Sequence, residues 1–224
     1  MVSAVVLAGG RGKRMGCSKS KQYIDLNGKP ILYYTLNLFI NNENIDNVIL
    51  VIPEDELEFC RKEVLDKYNL KVDLIAFGGN ERQDSVYSGL KKAYGSDIVL
   101  IHDGARPFVS KRIIEDGIKY ASMYGAAAPG VTPKDTIKIK SEDDFSLETP
   151  NRNNLVAVQT PQVFDYNLIF NCHEKVRKQH IEVTDDTMVV EVFGNNVYLY
   201  EGEYTNIKIT TPEDLILAKY LVKC

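Results

Sequence analysis

Short apolar runs alternate along the chain with longer segments whose apolar residues recur at helical spacing. Residues 4–7 are continuously apolar, as expected of a strand buried on both faces. Comparable runs at 48–52, 72–77, 97–101, 126–131 and 197–200 predict further strands. Between the first two, Ile31, Leu32, Leu36 and Phe39 share one helical face behind Pro30, a residue suited to a first helical turn. Segments 54–67, 84–93, about 110–123, near 165–178 and near 185–193 also read as helices. A last helix over 211–222 is announced by Thr211-Pro212-Glu213, an N-cap followed by Pro at N1. Strands alternating with helices imply right-handed crossovers and a mainly parallel sheet. The expected fold class is α/β.

Residues 132–160 break this rhythm. Thr136-Ile137-Lys138-Ile139-Lys140 alternates polar and apolar, like a strand with one wet face. A polar turn at 141–144 leads towards a second extended stretch near 155–158, which together read as a hairpin projecting from the body. An isolated two-stranded hairpin is marginal in water, so a packing partner is expected, and dimerisation is the economical one. The 224 residues contain no repeat or low-complexity linker, so 1–224 is read as a single domain with an arm at about 132–160.

Composition narrows the partners. With 44% hydrophobic and 26% charged residues the chain is ordinary for a globular protein. A net charge of −4 argues against broad nucleic-acid binding. No apolar run approaches a membrane span, and the N-terminus lacks the features of a secretory signal, so the cytoplasm is the expected location. Cys17, Cys60, Cys172 and Cys224 are scattered and do not combine with His102, His173 or His180 at metal-ligand spacing. Free thiols are expected.

The chemistry concentrates in the loop after the first strand. Gly9, Gly10, Gly12 and Gly16 accompany five cationic side chains between Arg11 and Lys21, with no acidic one. Glycines let backbone N–H groups crowd an anion, and Arg and Lys neutralise phosphate charge. This predicts a polyphosphate site, most simply for a nucleoside triphosphate. The P-loop pattern is absent, and Met15 stands where a dinucleotide fingerprint needs its third glycine, which disfavours hydride chemistry on NAD. Ligands of open α/β sheets sit beyond the carboxyl ends of strands, which singles out loops 8–21, 78–85 and 102–107. Asp103, directly after an apolar strand, reads as a Mg²⁺ ligand, with a helix cap or a pairing with Arg106 as the other readings. Arg152, Thr184-Asp185 and Lys208 lie beside polar turns and could hold a second anion.

Taken in order, residues 4–23, 79–86, 102–107, 135–138, Arg152 with Gln159-Thr160-Pro161-Gln162-Val163-Phe164, Thr184-Asp185-Asp186 and 206–215 resemble the 2-C-methyl-D-erythritol 4-phosphate cytidylyltransferases across essentially the whole chain. The resemblance implies a Rossmann-like α/β fold and a homodimer with embracing arms. It also implies Mg²⁺-dependent transfer of CMP from CTP to a methylerythritol phosphate, with release of pyrophosphate, in non-mevalonate isoprenoid synthesis. Carried over by motif, Arg14 and Lys21 would contact the CTP phosphates, and Lys208 would bridge the reacting phosphates. Ala8, Gly9 and Gly10 would line the nucleotide loop, with Gly79, Asn80 and Ser85 around the cytosine and Arg82 supporting that loop. Asp103 would lie at the metal. Arg106, Thr160 and Thr184 would sit near the polyol phosphate, and Thr136 and Arg152 would reach the partner subunit's site. Two departures stand out: Ser20 replaces a Pro common before the Lys-Gln-Tyr motif, and Asn80 stands where Asp is common. The near relatives that use ribitol 5-phosphate share several of these motifs and supply the alternative substrate. A UTP-dependent sugar-1-phosphate enzyme, a non-catalytic nucleotide binder and a structural dimer module are the rival classes.

Overall fold

The computed structural model describes residues 1–10 and 20–223. Strands β1 (Val2–Leu7), β4 (Asn47–Ile52), β5 (Leu74–Phe77) and β6 (Ile98–Asp103) run parallel in the order β5-β4-β1-β6. β6 is buried along its whole length and β1 and β4 along most of theirs, as continuous apolar runs require in a sheet covered on both faces. Beyond β6 the sheet is mixed. β11 (Gln162–Asp165) runs antiparallel between β6 and β7 (Ala126–Val131), and β10 (Ala157–Val158) pairs antiparallel further along β7. The cis Thr160-Pro161 bond lies between β10 and β11. β12 (Tyr198–Glu201) pairs parallel with β7.

The period-2 alternation of the strands sorts the core into two layers. Ala4, Val6, Leu50 and Leu100 pack with Leu32, Leu36 and Phe39 of α1 (Ile31–Ile40) and Ile113 and Ile114 of α4 (Lys111–Tyr124). Val5, Ile49, Val51 and Ile101 face the other way. They meet α3 (Arg82–Lys92), α5 (Tyr166–Gln179) and α6 (Asp186–Glu191) through Val86, Leu90, Ile169, Val176 and Val189. The helix caps are local in origin. Ser110 accepts from Ile113 N–H at the start of α4, and Gly125, at φ 84°, ends it. Thr211 caps α7 (Pro212–Leu221) with Pro212 in its first turn, as the sequence predicts, and Asp214 completes a capping box.

Three expectations are corrected, and one strand is added. The segment 54–67 is not one α-helix: a 3₁₀ turn, α2 (Leu57–Cys60) and a π-helical stretch Arg61–Asp66 follow one another. Over so few turns, apolar spacing does not separate i→i+4 from i→i+5 bonding. Pro30 is the N-cap of α1 rather than part of its first turn, and it closes a small hairpin of β2 (Asp25–Leu26) and β3 (Lys29–Pro30). β11 had no strand signal of its own, because its four residues follow Pro161 and begin with Gln162. In the arm, β8 (Ile139–Lys140) pairs with β9 (Ser146–Glu148), whereas residues 157–158 return to the main sheet as β10. Alternation says that a strand has a wet face but cannot name the strand it pairs with. The arm stays exposed, with Phe145 at 73% and Leu147 at 66% accessibility.

Helix α3 reaches the sheet over Gly89, where an added Cβ would stand 2.4 Å from Val5 Cγ1 and 3.0 Å from Val51 Cγ2. Gly89→Ala gains about 1 kcal/mol of helix propensity, but overpacking against two stiff valines costs about 1–3 kcal/mol. We expect net destabilisation, read as a lower urea midpoint; an unchanged or raised midpoint would refute this packing.

Candidate active site

A cleft of about 660 Å³ opens at the carboxyl ends of β1, β4, β5 and β6, the edge where open α/β sheets hold ligands. Ala8, Gly9 and Gly10 follow β1, Pro53 to Asp55 follow β4, Gly78 to Arg82 follow β5, and Asp103 and Ala105 belong to the end of β6. Lys21 and Lys208 complete the walls. Loops expected from sequence to face a common ligand therefore do converge.

Each wall is tied down by its own bonds. Gln22, buried, donates from Nε2 to the Ala8 carbonyl at 2.6 Å and to Glu56 at 2.9 Å, which anchors the chain where it returns from the glycine loop. Lys21 Nζ donates to the Ile209 carbonyl at 3.4 Å. Ser85 Oγ accepts from Gly79 N–H at 3.2 Å and donates to the Glu81 carbonyl, folding the second glycine turn onto the start of α3. Gly79 is required there: a Cβ would lie 2.4 Å from Asp84 Cβ. Asn80 lines the cleft and is exposed.

The electrostatic centre is Asp103. Lys208 Nζ lies 2.8 Å from Oδ2, Arg106 Nε 3.6 Å from Oδ2, and Arg82 Nε 3.8 Å from Oδ1. Burial would raise the pKa of this carboxyl, but Lys208 and Arg82, with Arg106, hold it below the usual carboxylate range. Arg82 also lies 2.7 Å, through Nη2, from Oδ2 of the buried Asp186. Burial opposes the Arg82 charge; Asp186, ahead of Asp103, overcomes it and raises the pKa. Lys208 is delivered by a segment stitched to the sheet. Ile209 N–H bonds the Ala105 carbonyl at 2.9 Å, Arg106 Nη1 donates to the Asn206 carbonyl at 2.8 Å, and Asn206 Nδ2 donates to the Thr160 carbonyl at 2.9 Å.

Behind Asp103 the partners fix a histidine tautomer. His102 Nε2 faces the Arg106 carbonyl at 3.1 Å, which only accepts, so Nε2 carries the proton. Nδ1 then accepts from the Thr160 hydroxyl at 3.1 Å, whose oxygen accepts from Asp103 N–H, also at 3.1 Å. Burial pushes the pKa of His102 down to about 4.

The sequence candidates separate accordingly. Lys21, Lys208, Ala8, Gly9, Gly10, Gly79, Asn80, Ser85 and Asp103 line the cleft together. Arg106 and Thr160 stand behind it, bonded to Asp103. Thr136 and Arg152 are exposed on the arm, where Arg152 Nη2 donates to Thr136 Oγ1 at 3.4 Å. Thr184 is exposed ahead of α6, beside Met188. Arg14, with the rest of 11–19, lies outside the described residues. Of the cysteines, Cys60 and Cys172 are free and buried, while Cys17 and Cys224 also fall outside. Sequence reasoning missed Asp186 as a partner of Arg82: its motif Thr184-Asp185-Asp186 reads as one polar turn, and nothing local shows which acid turns inward. Among the described residues, no group of three or more His, Cys, Asp or Glu side chains could cage a metal, and no helix is long and apolar enough to cross a membrane.

A cleft at parallel strand ends, with two glycine turns and with Lys21, Arg82 and Lys208 beside Asp103, fits a phosphate-handling α/β enzyme of the nucleotidyltransferase class. Comparison with known proteins is specific. A family model described as 2-C-methyl-D-erythritol 4-phosphate cytidylyltransferase matches residues 2–224. A protein of that name from Clostridium beijerinckii is 66% identical over 223 residues, spanning 100% of this chain and 99% of that one. One from Clostridium perfringens (strain SM101) is 60% identical over 222 residues, with 99% of each chain covered. The crystal structure of a 4-diphosphocytidyl-2C-methyl-D-erythritol synthase from Anaerococcus prevotii matches with a TM-score of 0.88 at 36% identity, covering 100% of this chain and 96% of that one. That of the cytidylyltransferase from Thermus thermophilus gives 0.81 at 30% identity, covering 100% of both. The chain belongs to the 2-C-methyl-D-erythritol 4-phosphate cytidylyltransferase family.

The His102 network makes stability depend on pH. Because the ordinary value of 6.5 is depressed to about 4 on folding, the unfolded chain binds more protons between these pH values. The unfolding free energy should therefore fall as pH drops through that window, by about 3 kcal/mol in all. His102→Gln should flatten this part of the profile; a slope identical to that of the parent would contradict the buried, neutral assignment.

Proposed function

We propose that this protein transfers CMP from CTP to 2-C-methyl-D-erythritol 4-phosphate, giving 4-CDP-2-C-methyl-D-erythritol and pyrophosphate, in non-mevalonate isoprenoid synthesis in the cytoplasm. The observation that carries this reading is the convergence of Lys21, Lys208, Asp103 and two glycine turns on one cleft, in a chain 66% identical to a relative named for that activity. That name also favours methylerythritol phosphate over ribitol 5-phosphate.

The reaction needs charge management rather than proton abstraction. A phosphate monoester is largely dianionic near pH 7, its second pKa being about 6, so its oxygen attacks the α-phosphorus of CTP without a general base. The bond from that phosphorus to the bridging oxygen breaks, and pyrophosphate leaves with the electron pair. The enzyme aligns the two phosphates and spreads the growing negative charge. Arg14 and Lys21 are assigned to the triphosphate and Lys208 to the reacting phosphates. Ala8, Gly9 and Gly10 take the nucleotide loop, and Gly79, Asn80 and Ser85 the base. Arg106 and Thr184 serve the polyol phosphate, with Thr160 acting there by holding Asp103.

Asp103 suits Mg²⁺ in the manner that ion prefers, one carboxylate together with substrate phosphates rather than an all-protein cage. When bound, the ion would neutralise phosphate charge and orient the triphosphate. The arm supports a homodimer: its apolar side chains Phe145 and Leu147 are exposed, and a dimer would cover them while bringing Thr136 and Arg152 to the partner's cleft.

Pyrophosphate release with CTP and Mg²⁺ should be seen with methylerythritol 4-phosphate and not with ribitol 5-phosphate; the reverse pattern would move the enzyme to ribitol phosphate. Lys21→Ala should lower kcat by ~10²-fold, the scale of one lost transition-state contact. Replacing Phe145 and Leu147 together with Ser should convert a dimer into monomers in sedimentation. A parent chain that sediments as a monomer would remove the arm's assigned role.

A further inference from the structure

Two buried side chains behind the cleft have no part in the mechanism above. Asp186, 1% exposed at the start of α6, presents Oδ2 to Arg82 Nη2 at 2.7 Å and Oδ1 to His173 Nε2 at 3.2 Å. His173, 0% exposed, sits in the middle of α5. Neither lines the cleft, whereas Arg82 does. An ionised carboxylate in the core costs several kcal/mol of desolvation unless it is paired and bonded, and burial would raise the Asp186 pKa. Arg82 and His173 nonetheless keep it low. The backbone holds this acid in place as well: Asp186 N–H donates to Gln162 Oε1 at 2.9 Å, and Gln162 Nε2 donates to Asp185 at 2.8 Å, so the start of α6 is pinned to β11.

The distances rank the two acids that compete for Arg82. The guanidinium is tight on Asp186 and loose on Asp103, where the gap is 3.8 Å. A guanidinium offers five donors in a planar fork and closes readily on a carboxylate in bidentate fashion. Were Asp186 absent, the nearest anion for that fork would be Asp103, already bonded to Lys208. Arg82 would then neutralise Asp103, the carboxylate at the end of β6 in the cleft, and turn its donors away from the ligand.

On the reading of the cleft as a CTP site, we propose that Asp186 and His173 are positioning residues for nucleotidyl transfer. They hold Arg82 at a set distance from Asp103, with His173 orienting the carboxylate that grips it. Arg82 then keeps its charge available to an anionic ligand, and Asp103 keeps an oxygen free of a second tight pair.

A double-mutant cycle tests this, with kcat and KM measured for CTP and for the polyol phosphate. Asp186→Asn should lower kcat/KM for CTP at least tenfold, mainly through KM for CTP and with little change in KM for the polyol. Added to Arg82→Ala, it should cause no further loss, because it acts through that side chain. His173→Leu should lose several-fold in the same parameter, and His173→Gln, which keeps an amide donor for Asp186, should recover most of it. These milder variants carry the test if Asp186→Asn does not fold. Additive losses in the cycle, equal effects on both KM values, or parental kinetics in folded His173→Leu would each overturn the assignment. A parent chain that releases no pyrophosphate from CTP would instead overturn the functional reading on which it stands. Additivity in an active parent leaves that reading intact.

Discussion

The active end of this molecule depends on a single buried carboxylate held among cations. Asp103 ends the most deeply buried strand, β6, and an isolated charge there would be expensive. Lys208, Arg106 and Arg82 make it tolerable, and they come from three separate places: the segment after β12, the loop after β6 and the start of α3. The arrangement therefore does two things at once. It ties three elements to one point, and it gathers three cations at one end of the cleft. Removing one cation would leave the others bound more firmly to Asp103, so the site's electrostatics and its geometry are not separable.

The mixed part of the sheet explains how Lys208 arrives. β11 enters antiparallel beside β6, and the turn before it places Thr160 against both His102 and Asp103 N–H. Asn206 bonds the Thr160 carbonyl and Gln159 Oε1, and Arg106 bonds Asn206 in turn. These contacts are largely buried and tie the Thr160 and Asn206 segments to one another. Lys208 follows two residues later with little freedom left. The arm takes no part in this scaffold: its short β8–β9 hairpin is a separate sheet, exposed, with a polar turn and with Phe145 and Leu147 open to solvent.

Much of this was legible in the chain, and the limits are instructive. Alternating apolar runs placed β1, β4, β6 and β7 to within one or two residues, because strands buried on both faces leave a continuous apolar signature. Thr211-Pro212 marked the last helix, since capping is settled by three or four neighbouring residues. The glycine turn at 78–79 and Asp103 at a strand end were recognisable as site material for similarly local reasons. The π-helical stretch 61–66, the strand β11 and the true partner of β8 were not, because each is decided by what packs against it.

What the sequence determined by itself is thus most of the main strands and helices and the chemical character of the loops at the strand ends, all properties of windows of a few residues. Which loops meet, and which charge pairs with which, came only from the tertiary structure. Arg106 and Asn206 are 100 positions apart, and Arg82 finds Asp186 only because α3 and α6 cover the same face of the sheet. The physical reason is range. Backbone propensity, capping and amphipathic period act between near neighbours, whereas a buried ion pair is chosen by the packing of whole elements, which no local pattern encodes.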